Sequence, residues 1–264
     1  MSESIKVPTM AEYMALGKQP EILFWVGCAG SFDDRAKKIT KAFVRLLNNA
    51  NIDFAVLGTE ESCSGDPAKR AGNEFLFQMQ ATSNIQVLNG YQIKKIVTAC
   101  PHCFNTIKNE YPDLGGKYEV FHHTEYLELL IKEGRLDVDE NTSFKNKKIT
   151  YHDSCYLGRS NQIYEAPRNL IQSLKADLVE MNRHKQNGFC CGAGGAQMFK
   201  EPEKGNKDIN IDRTEEALTT EASVIATACP FCMTMLSDGI KNKEQEEKVK
   251  VLDIAELFAQ SKNL

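Results

Sequence analysis

Short, mostly apolar runs alternate along this chain with longer stretches whose apolar residues recur at helical spacing. Strands are predicted over Ile22 to Val26, Phe54 to Leu57, Lys95 to Thr98, Lys148 to His152, Ser223 to Thr227 and Lys248 to Leu252. Runs of this length, rich in β-branched residues, suit strands covered on both faces. Helices are predicted over Asp34 to Asn48, Pro67 to Leu88, Glu125 to Lys132, Pro167 to Leu174, Asp212 to Thr219 and Ile254 to Gln260. Strands alternating with helices predict βαβ units, and hence an α/β fold with parallel-type sheets. Asp66-Pro67 reads as a helix start, and His122-His123 as a cap for the helix through Glu125. Gly134 to Lys147 is polar, lacks a helical period and reads as a linker, whereas the charge run Lys241 to Lys248 reads as solvated surface.

The cysteines give this pattern a second layer. Cys28 and Cys63 stand as far apart in the chain as Cys155 and Cys190. Cys190-Cys191 answers to Cys63-Ser64, and each half closes on CPxC, as Cys100-Pro-His-Cys103 and Cys229-Pro-Phe-Cys232. One offset carries Cys28, Cys63 and Ser64 onto Cys155, Cys190 and Cys191, and a slightly longer one carries Cys100 and Cys103 onto Cys229 and Cys232. Such a register points to a duplicated, domain-sized unit. The fold expected is therefore two duplicated, pseudo-symmetric α/β domains, residues 1–140 and 141–264. The length of 264 residues agrees, at roughly 150 residues per domain. Cys28, Cys100 and Cys229 fall where strands end and Cys155 just beyond one, the edge at which open α/β sheets hold ligands.

Composition narrows the function. Apolar residues at 42% and charged residues at 26% are ordinary for a globular chain, and a net charge of −4 argues against gripping nucleic acid or an anionic membrane. No apolar run reaches the ~20 residues of a membrane span, and the N-terminal residues lack the pattern of a secretory signal. The expected location is cytoplasmic, with any attachment to the inner face of the membrane made through a partner. Nine cysteines, an odd number without an export signal, suit metal or redox chemistry better than a disulfide framework.

Five cysteines in the second half exceed the four ligands of one zinc ion, and adjacent Cys190 and Cys191 diverge around a single metal atom. A multi-iron cluster is larger and is held by thiolates approaching from several directions. Gly192, Gly194 and Gly195 allow close backbone approach beside the pair. In the first half, Cys28, Cys63, Cys100 and Cys103 suit either a four-iron cluster or a four-cysteine zinc site, and the duplication favours iron–sulfur. Thioredoxin-like chemistry at CPHC leaves the remaining cysteines unexplained. His152 and Asp153 precede Cys155. A proton donor competes there with a plain strand-end histidine and an Asp turn, and the plain reading is preferred. His102 lies between two cysteines, where it could tune a cluster by hydrogen bonding, but Phe231 takes its place in the second copy.

On these residues the chain resembles the cysteine-rich CCG-domain family, whose pattern is a cysteine, then CCG, then CxxC. The family includes the B-type component of heterodisulfide reductase, iron–sulfur subunits of glycolate and lactate oxidising systems, and membrane-bound oxidoreductases linking electron-transfer flavoprotein to quinone. The stretch Glu61-Ser-Cys-Ser-Gly-Asp-Pro-Ala-Lys-Arg-Ala-Gly-Asn-Glu74 is most similar to the quinone-linked members. The resemblance implies two [4Fe-4S]-type clusters. Cys155, Cys190, Cys191, Cys229 and Cys232 match the complete motif, which in the family holds a noncubane cluster. Cys28, Cys63, Cys100 and Cys103 match it apart from Ser64, which makes a cubane, or a serine oxygen ligand, the expectation there. It implies an iron–sulfur electron-transfer subunit of an oxidoreductase, passing electrons between a flavoprotein or ferredoxin-like partner and a quinone or disulfide acceptor. A membrane quinone-reactive subunit is a further partner. No ferredoxin cysteine run and no Gly-rich dinucleotide fingerprint is present, so those functions are expected on partners. The rival readings are a catalytic heterodisulfide reductase, with Cys155, Cys190 and Cys191 at its active cluster, and a zinc-held structural protein.

Overall fold

The computed structural model describes residues 5–139, 141–201 and 204–264. The chain divides into two compact units, Met1–Leu136 with Leu264, and Asp137–Asn263. The first unit runs α1 (Met10–Ala15), β1 (Ile22–Trp25), α2 (Gly27–Phe32), α3 (Ala36–Asn49), β2 (Phe54–Ala55), α4 (Asp66–Arg70), α5 (Glu74–Gly90), β3 (Lys95–Thr98), α6 (Pro101–Asn105), β4 (Glu119–His122) and α7 (His123–Lys132). The second runs β5 (Lys148–Tyr151), α8 (Glu165–Ser173), β6 (Asp177–Leu178), α9 (Ile209–Leu218), β7 (Val224–Thr227), α10 (Pro230–Asn242), β8 (Lys250–Asp253) and α11 (Ile254–Ser261).

Each unit is built on a four-stranded, wholly parallel sheet, ordered β2-β1-β3-β4 in the first and β6-β5-β7-β8 in the second. The duplication seen in the cysteines is thus a duplication of topology. Leu23 pairs with Ile96 in one unit and Thr150 with Ile225 in the other, and the two pairs are related by the same two offsets as the cysteines that follow them. The predicted α/β class with parallel sheets is borne out.

The elements form for ordinary reasons. All four residues of β1, Ile-Leu-Phe-Trp, are buried, as a strand covered on both faces requires. In α3 the residues Ile39, Ala42, Phe43, Leu46 and Leu47 share one buried stripe, and Phe24 meets Phe43 edge-to-face at 5.0 Å. In the second unit Met181, Ala217, Ile225, Leu236 and Ile240 form a core between sheet and helices. Among the described residues no helix is long and apolar enough to cross a membrane.

Several predicted boundaries shift. The single helix expected over Pro67 to Leu88 is two, because Gly72 adopts φ +85° and Asn73 starts α5 by accepting a hydrogen bond from the Leu76 N–H at 3.0 Å. Pro67 is the second residue of α4, with Gly65 at its N-cap. The stretch Gly134 to Lys147 holds no helix or strand among its described residues, yet Leu136, Thr142 and Phe144 are buried. Strands β4 and β6 and helices α1, α2, α6 and α10 are additions to the predicted set.

Candidate metal centres

Six of the cysteines stand on segments that follow the two central strands of each sheet, and Cys63 and the pair Cys190-Cys191 stand on the longer segments after the edge strands β2 and β6. Cys28 lies in α2 after β1, and Cys100 is the N-cap of α6 after β3. Cys155 follows β5, and Cys229 is the N-cap of α10 after β7. In the orders 2-1-3-4 and 6-5-7-8, chain connections leave these central pairs in opposite directions, the switch point at which open α/β sheets hold ligands beyond the carboxyl ends of the strands. The CPxC motif has a local cause. Proline suits the first helical position, so the first cysteine stays in extended backbone outside the helix and the second stands in its first turn.

In the second unit all five thiols join one continuous set. Cys155 contacts Cys190, Cys190 contacts Cys191, Cys191 contacts Cys232 with sulfurs 3.3 Å apart, and Cys232 contacts Cys229. That separation is far beyond the ~2.05 Å of a disulfide bond, and none of the nine cysteines is in a disulfide. Gly192, at φ +93°, turns the chain so that its N–H donates to Cys190 Sγ at 3.3 Å. Cys190 is pressed well below an ordinary thiol by hydrogen bonds from Cys155 and then Cys191. Cys155 and Cys191 are raised by the same contacts, and Cys232 by its contacts with Cys191 and Cys229.

The first unit gathers Cys28, Cys63 and Cys103. Cys28 donates to Cys63, raising its own pKa and lowering that of Cys63, and the charge of Cys103 also acts on Cys28. Ser64 donates to Cys103 Sγ at 3.4 Å. Cys100 is buried at the start of the helix that carries Cys103. A Cβ on Gly27 would lie 3.3 Å from Cys103 Sγ, so glycine there lets backbone approach sulfur. The loop is fastened from behind. Asn84 donates to the Cys63 carbonyl at 2.9 Å, Tyr111 donates to the Ser64 carbonyl at 3.0 Å, and Glu61 accepts from the N–H groups of Val26 and Gly27 at 3.0 and 2.6 Å. Burial raises the Glu61 carboxyl to about 7 against those two hydrogen bonds.

Side chains around the thiols divide into bonded and unbonded. Asp153 pairs with Arg168 through two bonds of 2.8 Å and accepts from the Lys185 N–H, so it is an anchor rather than a free carboxylate. His102 Nδ1 lies 2.8 Å from Asp66 Oδ2. His152 is 1% exposed, and one of its ring nitrogens lies within 4.8 Å of the sulfurs of Cys191 and Cys232. Burial, then the charge of Arg213, lowers its pKa to about 3. His152 thus stands just past the end of β5, as read from the sequence, and also lies near two of the thiols. Trp25 Nε1, Ser154 Oγ, Thr227 Oγ1 and Arg213 Nη2 are buried and have no hydrogen-bond partner among the described residues. Three of these four stand at or just beyond the carboxyl ends of central strands. Soft thiolates in number, backbone brought close by glycine, and spare N–H and O–H donors suit a sulfide-rich cluster, whose sulfurs accept hydrogen bonds. Arg213 and Trp25 escaped sequence reasoning. An arginine where the helical period puts the core was the available signal for the former.

A sequence profile of the cysteine-rich domain family (CCG) matches residues 22–108 and 149–237. Over 257 residues the chain is 50% identical to a Bacillus subtilis protein named probable iron-sulfur-binding oxidoreductase FadF, covering 97% of this chain and 36% of that one. It is 47% identical over 248 residues to the EtfAB:quinone oxidoreductase of Syntrophomonas wolfei, covering 92% and 34%. It is 35% identical over 251 residues to one subunit of the dihydromethanophenazine:CoB–CoM heterodisulfide reductase of Methanosarcina barkeri, covering 92% and 59%. The chain spans about a third of the length of the first two relatives and about three-fifths of the third.

Proposed function

The chain belongs to the cysteine-rich domain (CCG) family, and on that premise we propose that it is the iron–sulfur electron-transfer part of an oxidoreductase. The five-thiol set at the switch point of the second sheet carries this reading. A continuous run of sulfurs, three of them buried, is costly to gather unless it encloses something that binds thiolate. Cys155, Cys190, Cys191, Cys229 and Cys232 would hold one four-iron cluster, of noncubane type, within residues 141–264. Cys28, Cys63, Cys100 and Cys103 would hold a second within residues 1–140, of cubane type because Ser64 offers an oxygen where its counterpart offers sulfur. When bound, such clusters take up and release electrons singly. The protein's own part is to orient thiolates through the CPxC helix starts, to keep backbone near sulfur at Gly27 and Gly192, and to supply buried donors at the rim.

The relatives' names, an EtfAB:quinone oxidoreductase and a heterodisulfide reductase subunit, support a quinone-reactive or disulfide-reducing acceptor. The donor would be a flavoprotein or a ferredoxin-like partner, met on the cytoplasmic side of a membrane. A catalytic variant of the reading is favoured by one observation. Cys155 and Cys190 are partly exposed while Cys191, Cys229 and Cys232 are buried, so a disulfide substrate would meet that edge first. Anaerobically purified protein is expected to be brown, with iron and acid-labile sulfide in equal amounts and an EPR signal on reduction. Colourless protein carrying zinc would refute the proposal. Turnover of a mixed disulfide with a low-potential donor separates catalysis from relay.

A further inference from the structure

We propose that Arg213 is a positioning residue that locks His152 as its Nε2–H tautomer, so that His152 serves the second sulfur site as a hydrogen-bond donor and not as a ligand. This rests on the reading that the five-thiol set holds an iron–sulfur cluster. The guanidinium of Arg213 is wholly buried, and its Nε donates to His152 Nδ1 at 3.0 Å. A guanidinium has no lone pair to offer, so Nδ1 must be the accepting nitrogen of the ring. A neutral imidazole has one accepting nitrogen and one N–H, which leaves the proton on Nε2. A histidine that ligates a metal shows the reverse arrangement, its second nitrogen donating to a carboxylate or carbonyl. Binding a metal through Nε2 here would strip the ring of its only proton. With Nδ1 engaged by Arg213, the nitrogen left to serve the nearby sulfur site is Nε2, which carries the proton.

Arg213 is itself held on the other side. Its Nη1 donates to the Arg183 carbonyl at 2.9 Å and to Glu216 Oε2 at 2.8 Å, which fixes the direction of the Nε–H. The first unit repeats the chemistry with a different residue. Trp25 ends β1 and precedes Cys28 by the same step as His152 precedes Cys155, and it too is a buried ring carrying an N–H. The indole N–H can only donate, and it has no partner among the described residues. Both copies thus place a ring donor, and neither a free ring acceptor, at this strand end. Hydrogen bonds to cluster sulfur stabilise the more negative, reduced state and raise the reduction potential.

The test is pulsed EPR on the whole chain, purified anaerobically with isotopically labelled histidine and reduced, as wild type and as His152→Leu, His152→Gln and Arg213→Met. Wild type should show a nitrogen coupling too weak for direct ligation, together with an exchangeable proton, and both should vanish in His152→Leu. That variant should also shift reduction of the second cluster about tenfold toward the oxidised state, about 59 mV for one electron. His152→Gln, which keeps an N–H, should recover most of the shift, and Arg213→Met should weaken the exchangeable-proton signal. Should Arg213→Met fail to fold, the wild-type couplings and the two His152 variants decide alone. A coupling of directly bound strength, or none beside a normal cluster signal, overturns the assignment and leaves the cluster reading standing. Protein without any iron–sulfur signal removes both.

Discussion

Ser64 and Cys191 occupy matched places and make matched contacts. The serine hydroxyl lies 3.4 Å from Cys103 Sγ, and the Cys191 sulfur lies 3.3 Å from Cys232 Sγ. The substitution therefore changes the donor atom and leaves its partner and spacing alone. Ser64→Cys is expected to alter the EPR signature of the first cluster toward that of the second, which itself stays unchanged. An unchanged first signal would show that the serine has no say in cluster type. At this scale the sequence was most informative about the cysteines, because spacing survives in one dimension. It was silent on Trp25 and on what His152 meets. Both rings are buried, and burial of a lone polar ring leaves no period to read.

Among the elements, the helix starts carry the most meaning. Asp253 ends β8 and caps α11, accepting from the Ala255 N–H at 2.9 Å while Glu256 accepts from the Asp253 N–H. His122 does the same for α7 with Glu125, at the equivalent register position beside Thr98, as Asp253 stands beside Thr227. The sequence reading offered His122-His123 as a cap for this helix, and the cap falls to His122, with Glu125 completing a capping box. Asp253→Ala should cost about 1 kcal/mol by loss of the cap, measured by anaerobic urea unfolding; a change below a few tenths would mean that the box adds nothing. Strand β6, of two residues, and the short helix α2 were beyond reach, since so few residues cannot display a period. The break in the predicted Pro67 to Leu88 helix was legible in Gly72-Asn73, a dipeptide that both ends one helix and caps the next.

For the molecule as a whole, acid is the predicted weakness. Glu21 is held below its ordinary 4.5 by hydrogen bonds from Arg135. Burial pushes Glu216 the other way, but the Arg183 N–H and the charge of Arg213 outweigh it and leave it lowered as well. A carboxylate whose folded pKa is depressed stabilises fully above its unfolded value and loses that stabilisation as pH falls through the folded one. The contribution of these two carboxylates to the melting temperature is thus expected to be full above about pH 4.5 and lost below it, with a shallower decline there in Glu216→Gln; an identical slope in that variant would discount the carboxylate. Duplication and fold class were readable at this scale, because a repeat in cysteine spacing is a repeat in topology. One more result follows from the parallel sheets. Every cysteine-bearing turn leaves the finishing edge of a strand, whereas the starting edges of β3, β5 and β8 open on the exposed amines of Lys95, Lys148 and Lys250. Strand direction alone thus gives each unit one edge for sulfur and an opposite edge that carries lysine.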